Sequence, residues 1–238
     1  MRLKEHIPNT ITSMNLLSGV LGVIFTLQGR IDIAFPMMLA ASVFDFCDGL
    51  VARALHVSSD IGKELDSLSD LVSFGVLPSL MLFQTLEGAG WLRYVPLLIA
   101  ILSAVRLARF NLDERQHLDF IDLPTPACAM LCASMAYFIQ AEPQSALSAF
   151  LLRDGVIPVL SVLLALLLVS GIPMFSMKIA PGHRLLDARR ICFFILVAAA
   201  VAATVILRRN WSLAVLLSFT AYLAVNLAFL PHKLITHE

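Results

Sequence analysis

Charge is scarce in this chain of 238 residues: only 14% are Asp, Glu, Lys or Arg, and the two signs cancel to a formal net charge of zero. Binding nucleic acid requires clustered Lys and Arg to neutralise many phosphates, so the lack of a basic tail or stripe excludes that class. Cysteine is sparse as well. Cys47, Cys128, Cys132 and Cys192 all fall in apolar stretches, with no C-x-x-C pair and no ligand-spaced His, and read as small buried apolar residues rather than metal ligands. The six histidines, His6, His56, His117, His183, His232 and His237, fall in loops or termini, none four residues from another, and read as solvated. No Gly-, Ser- or Pro-rich linker and no repeat divides the chain. The N-terminus has a basic start and an apolar run but no small-x-small cleavage site, so it is expected to stay attached as a membrane span.

What is abundant is apolar surface. Hydrophobic residues make up 59% of the chain and the mean hydropathy is +0.85, beyond what a soluble domain can cover with polar groups. A hydrocarbon core about 30 Å thick needs roughly 20 apolar residues per helix. The apolar runs give eight candidate spans, at residues 12–28, 32–54, 64–86, 91–110, 124–142, 149–172, 189–207 and 210–230. The expected fold is all-α: a polytopic transmembrane helix bundle with a six-helix core followed by two C-terminal spans. Positive charge is retained on the cytoplasmic side. With the N-terminus inside, the cytoplasmic set is Arg2, Lys4, Arg53, Lys63, Arg106, Arg109, Arg115, Lys178, Arg184, Arg189, Arg190 and Lys233, against Arg30, Arg93, Arg153, Arg208 and Arg209 outside. Twelve against five favours both termini in the cytoplasm.

Carboxylates inside membrane helices are costly and mark function by default. Asp45 and Asp48 lie near the cytoplasmic end of the second span, and Asp66 and Asp70 near the cytoplasmic start of the third. On a helix advancing about 100° per residue, Asp45, Asp48, Gly49, Ala52 and Arg53 share one face, as do Gly62, Asp66, Asp70 and Ser73. Two carboxylate faces therefore converge across a short loop. Four facing carboxylates stay ionised only if cations compensate them, and hard oxygen donors favour Mg²⁺, Mn²⁺ or Ca²⁺. Two divalent ions would cancel the formal charge, and a metal pair suits displacement at phosphorus. Small residues at 49, 52 and 62 let a ligand lie close to the backbone, and Arg53 is placed to meet a phosphate. The competing readings are helix caps at the interface and an ion or proton transporter that uses the aspartates as its binding site. Arg53 with three small residues suits a phosphate ligand and has no evident part in a cation pathway.

The segment from Asp45 to Asp70 reads D-x-x-D-G-x-x-A-R-x8-G-x-x-x-D-x-x-x-D and resembles the signature of the CDP-alcohol phosphatidyltransferase family at every fixed position. The resemblance implies that the four aspartates hold two metal ions, Mg²⁺ or Mn²⁺ with Ca²⁺ as a further option. It also implies that Gly49, Ala52, Arg53 and Gly62 contact the CDP moiety, and that Asp70 is the general base. Asn9, Thr12 and Ser59 join them as expected lining of the CDP-diacylglycerol site, with helix capping the alternative for Asn9 and Thr12. Five further stretches, PNTITSMN (8–15), DSLSDLVSFGVLP (66–78), RLARFN (106–111), LPTPA (123–127) and SGIPMFSMK (170–178), resemble the branch of the family whose acceptor is serine. Arg106, Arg109 and Asn111 are the candidate ligands of the serine carboxylate, since a guanidinium grips a carboxylate with two prongs; anchoring at the membrane surface is the alternative.

The division that follows is a catalytic membrane domain over residues 1–180 and an accessory transmembrane pair over 181–238. The implied partners are CDP-diacylglycerol, L-serine and membrane lipid, with a homodimer as the option for self-association and no nucleic acid. The implied location is a bacterial cytoplasmic membrane with the active site facing the cytoplasm. Glycerol 3-phosphate or inositol phosphate remains open as acceptor, because the shared signature reads only the CDP half.

Overall fold

The computed structural model describes residues 6–57, 59–112, 120–175 and 188–229. His117, His183, His232 and His237 lie outside them, as do Arg2, Lys4, Arg115, Lys178, Arg184 and Lys233 of the orientation argument.

Helix α1 (His6–Leu27) runs to a tight turn at Gln28–Gly29, and α2 (Ile31–Leu55) returns alongside it. Arg30 and Asp32 close that turn with a two-pronged ion pair, both contacts 2.9 Å, which also sets a carboxylate at the positive end of α2. α2 stops at His56, whose left-handed φ of 52° sends its N–H back to the carbonyls of Ala52 and Arg53. Ser59 then accepts a hydrogen bond from Gly62 N–H and caps α3 (Asp60–Asp70). The helix continues through a π-helical turn, Leu71–Val76, into α4 (Leu77–Thr85). Pro78 sits in the first turn of α4; lacking an N–H, it cannot bond to the carbonyl four residues earlier, and the chain widens just upstream.

A 3₁₀ turn (Gly90–Tyr94) leads to α5 (Leu97–Leu112). α6 (Thr125–Ala141) is the central helix: Cys128, Ala129, Cys132, Ala133, Ser134 and Ala136 are all buried, and small side chains let α2, α4 and α10 approach its backbone. The run at 149–172 is not one continuous helix. It is broken into α7 (Ala146–Leu151) and α8 (Val156–Leu167) by Gly155, whose φ of 86° leaves the helical region. Beyond α8 the chain forms β2 (Pro173–Met174), antiparallel to β1 (Phe120–Ile121), a two-residue ribbon that an all-α reading did not anticipate. α9 (Ala188–Ile206) and α10 (Ser212–Ala228) complete the bundle.

Among the described residues five helical stretches are long and apolar enough to cross a membrane: His6–Leu27, Ile31–Leu55, Asp60–Thr85, Gly90–Leu112 and Ala188–Ile206. The segments expected at 124–142, 149–172 and 210–230 are the shorter apolar helices Thr125–Ala141, Val156–Leu167 and Ser212–Ala228. The chain is thus a multi-pass, helical membrane protein. Alternate helix ends gather as an up-and-down path requires. At one end Gln140 donates to Gly29 O (2.8 Å), Arg209 pairs with Glu142 (2.7 Å), and Trp211 stacks on Phe35 with ring centres 5.2 Å apart. At the other, Lys63 Nζ donates to Asn111 O (2.8 Å), tying the start of α3 to the end of α5.

Candidate active site

The short connection between α2 and α3 brings the two carboxylate faces together. One oxygen from each of Asp45, Asp48 and Asp66 lies within 4.8 Å of the others, a spacing that a single divalent cation spans. Asp70, one turn beyond Asp66, reaches the Asp45 carboxyl. Helix α1 fixes two of the four. Thr12 Oγ1 donates to Asp48 Oδ2 at 2.6 Å, and Asn15 Nδ2 donates to Asp70 Oδ1 at 3.2 Å. The ion pairs Arg30–Asp32 and Arg209–Glu142 lie at the far end of the bundle, so neither compensates the cluster. Asp66 Oδ1 is buried and has no hydrogen-bond partner. A buried carboxylate oxygen left bare is expensive, and together with an all-oxygen donor set it fits a hard divalent cation held by Asp45, Asp48 and Asp66, with Asp70 adjoining.

A cavity of about 220 Å³ opens beside this cluster, lined by Pro8, Asn9, Thr12, Asp48, Gly49, Ala52, Val57, Ser59, Gly62, Lys63 and Asp66. Six of the seven residues expected to line a CDP-diacylglycerol site are in that wall: Asn9, Thr12, Gly49, Ala52, Ser59 and Gly62. The seventh, Arg53, is exposed, and its guanidinium lies over Gly49 beside the opening, where a Cβ on Gly49 would stand 3.6 Å from Nη1. At Gly62 a side chain would be crowded: its Cβ would fall 2.9 Å from both Asn9 Oδ1 and Ser59 Oγ, and these would have to shift. The cavity is acidic at its inner end and basic at its rim, where Lys63 and Arg53 stand. That arrangement suits an anion bridged to the carboxylates by cations.

The three candidates for the serine carboxylate separate. Arg109 is exposed at the end of α5. Asn111 is engaged with α3, its Nδ2 donating to Ser67 Oγ at 2.9 Å and its carbonyl accepting from Lys63. Arg106 is 6% exposed. Its Nη1 donates to Thr125 Oγ1 at 3.1 Å, its Nε is buried without a partner, and Asp122 and Asp70 are close enough to feel its charge.

Four contributors had gone unassigned in the sequence. Asn15 was legible as a polar residue inside a span, one turn from Thr12 on the same face of α1. Lys63 had been counted only as a positive charge on the cytoplasmic side. Asp122 precedes the LPTPA stretch and Thr125 lies within it, but their approach to Arg106 depends on a loop path that periodicity does not encode.

A two-helix acidic motif at one end of a membrane bundle, with a cavity for an anionic ligand, defines a class, and the family model for CDP-alcohol phosphatidyltransferase matches residues 5–170. The chain belongs to the CDP-alcohol phosphatidyltransferase family and is a membrane transferase of phospholipid biosynthesis. Its similarity extends to particular members. It is 34% identical over 219 residues to the CDP-diacylglycerol–serine O-phosphatidyltransferase of Mycobacterium tuberculosis, covering 85% of this chain and 73% of that protein. Over 137 residues it is 35% identical to the enzyme of the same name from Bacillus subtilis, covering 56% of this chain and 76% of that one. Archaetidylserine synthase of Methanothermobacter thermautotrophicus is 34% identical over 137 residues, 54% of this chain and 56% of that one.

Proposed function

We propose that the protein transfers a phosphatidyl group from CDP-diacylglycerol to the hydroxyl of L-serine, yielding phosphatidylserine and CMP. The observation that carries this reading is the buried Arg106 guanidinium, with a free Nε, close enough to Asp70 to feel its charge and absent from the lining of the cavity. It supplies a carboxylate anchor beside a base, which a free amino acid needs and a CDP site alone does not.

In this reading the cavity residues Asn9, Gly49, Ala52, Ser59 and Gly62 hold the CDP half, and Arg53 and Lys63 meet its diphosphate. Two divalent cations, Mg²⁺ or Mn²⁺, held by Asp45, Asp48, Asp66 and Asp70, supply charge neutralisation of the diphosphate and of the departing CMP. Arg106 orients serine through its carboxylate. Asp70 accepts the hydroxyl proton as the serine oxygen forms its bond to the phosphorus bearing diacylglycerol, and the bond from that phosphorus to the CMP oxygen breaks. Asn15 keeps Asp70 turned toward that oxygen. The acyl chains stay in the bilayer, which explains why the chemistry is built at a helix end. The charge count supports eight crossings with both termini and the site on the cytoplasmic side of a bacterial membrane, the three shorter helices crossing at reduced length.

The test is CMP release by purified protein from CDP-diacylglycerol with serine, glycerol 3-phosphate or inositol phosphate. Serine alone should support turnover. Release driven by a phosphorylated acceptor instead would overturn the acceptor assignment. No release with any acceptor, joined to cation flux in proteoliposomes, would overturn the class of reaction proposed.

A further inference from the structure

The last two helices lie outside the matched family region, and the proposed chemistry gives them no part. They nevertheless grip the chain at a specific place. Asn226 Oδ1, on α10, accepts from the Phe175 N–H at 2.7 Å, and Tyr222 Oη, one turn earlier, donates to the Phe175 carbonyl at 3.2 Å. Both backbone groups of one residue are thus satisfied by side chains of α10. Asn226 is itself locked, its Nδ2 donating to the Tyr222 carbonyl at 2.8 Å, and it is 2% exposed. The Phe175 ring packs on Tyr222 and Phe193, with centres 5.1 and 5.7 Å away, so α9 joins the grip.

Phe175 directly follows β2. The ribbon pairs Met174 with Phe120 and Pro173 with Ile121, and the chain leaving β1 is Asp122. Asp122 is held in a left-handed conformation, φ 75°, its N–H bonded to Ile172 O (3.0 Å) and its carboxylate accepting from Gly171 N–H. Leu123 N–H bonds to Leu167 O at 3.1 Å. Thr125 Oγ1 accepts a hydrogen bond from Arg106, and Asp122, Asp70 and, among the C-terminal residues, Tyr222 itself lie close enough to act on the Arg106 charge. Asp122 is thus fixed to Gly171 and Ile172, and a two-residue ribbon is too short to hold that segment in place by itself. The grip on Phe175 anchors its far end.

We infer that Asn226 and Tyr222 are positioning residues for the acceptor: through Phe175, the ribbon and Asp122 they set the orientation of the Arg106 guanidinium, so the C-terminal pair determines acceptor affinity while leaving the donor cavity untouched. The inference rests on the proposal that Arg106 binds the acceptor. The donor cavity draws on α1, α2 and α3 and touches none of these residues.

The experiment is steady-state kinetics of the full-length protein in lipid, with both substrates varied, for Asn226→Ala and Tyr222→Phe. Losing one buried hydrogen bond corresponds to a change of about three- to tenfold in an equilibrium constant. Asn226→Ala should raise the acceptor KM by about that factor, with the CDP-diacylglycerol KM unchanged. Tyr222→Phe, which removes one hydroxyl and no packing, should move the acceptor KM in the same direction by less. An equal rise in both KM values or an unchanged acceptor KM overturns the inference. If Asn226→Ala does not accumulate in the membrane, Tyr222→Phe decides alone, and an acceptor KM equal to wild type overturns the inference. A wild-type protein that uses another acceptor defeats the serine assignment separately, and the split is then read on that acceptor's KM.

Discussion

The donor cavity and the surroundings of Arg106 differ in how the chain builds them. Everything that shapes the cavity lies between Pro8 and Asp66, on three helices joined by two tight turns. Its polar contacts are direct, as in Thr12 to Asp48 and Gly62 N–H to Ser59. The surroundings of Arg106 come from α5, the start of α6, the ribbon and, through Phe175, α10. The bonds that set them join residues 49 and 51 positions apart through irregular backbone. A site carried on adjacent helices needs only the helical period to converge, whereas one carried through loops depends on every link in the path. The family model ends at residue 170, before Phe175 and the two helices that hold it, while the mycobacterial relative aligns with 85% of the chain.

The largest expected effect tests the donor side. Exhaustive chelation of divalent cations should reduce CMP release to the assay background, and readdition of Mg²⁺ or Mn²⁺ should restore it, because clustered carboxylates repel a diphosphate unless they are compensated. Substantial turnover without cations would falsify the metal reading and remove the reason for the bare Asp66 oxygen.

Next in size is Arg106. A charge-assisted hydrogen bond to a buried carboxylate is worth about 1.5 to 3 kcal/mol, so Arg106→Ala should raise the serine KM on the order of ten- to a hundredfold while the CDP-diacylglycerol KM barely moves. Arg106→Lys should recover only part, since an ammonium cannot make the two-pronged contact. Titrating each substrate against the variants reads this out; an equal loss for both would mean that Arg106 supports the bundle and not the acceptor. The smallest effect belongs to Gly62→Ala. The added carbon crowds Asn9 and Ser59, whose side-chain ends can shift, so the donor KM should rise several-fold, on the order of 1 kcal/mol, with the serine KM unchanged. A donor KM equal to wild type would show that the ligand does not approach this backbone.

The contrast also explains what was legible in the sequence. The four aspartates, the small residues at 49, 52 and 62 and the positions of most apolar helices follow from periodicity and from the cost of charge in a bilayer, and a helical hairpin converts such patterns directly into proximity. The breaks were harder. The span expected at 149–172 is divided at Gly155, whose positive φ follows two charged residues, Arg153 and Asp154, that the reading of one apolar run passed over. Arg106, Arg109 and Asn111 are all candidates from the RLARFN stretch, with the sequence leaning to Arg109 and Asn111, yet Arg106 is buried, Arg109 exposed and Asn111 bonded to Ser67. Their separation is set by what packs against the helix, and for Arg106 that partner lies across a loop.

The π-helical turn at Leu71–Val76 has a meaning in evolutionary terms. Such a turn amounts to one residue more than an α-helix of the same length would hold. Each α-helical residue turns the chain by about 100°, so a single deletion there would leave a continuous helix in which the Asp66 and Asp70 face is rotated by roughly that angle relative to α4. Ser73, within this turn, donates to the Asn15 carbonyl at 3.2 Å and thereby ties the extra residue to the helix that holds Asp70. The length of the third helix is therefore fixed by the carboxylate face it presents, and its point of attachment is the place where insertions and deletions are least free to accumulate.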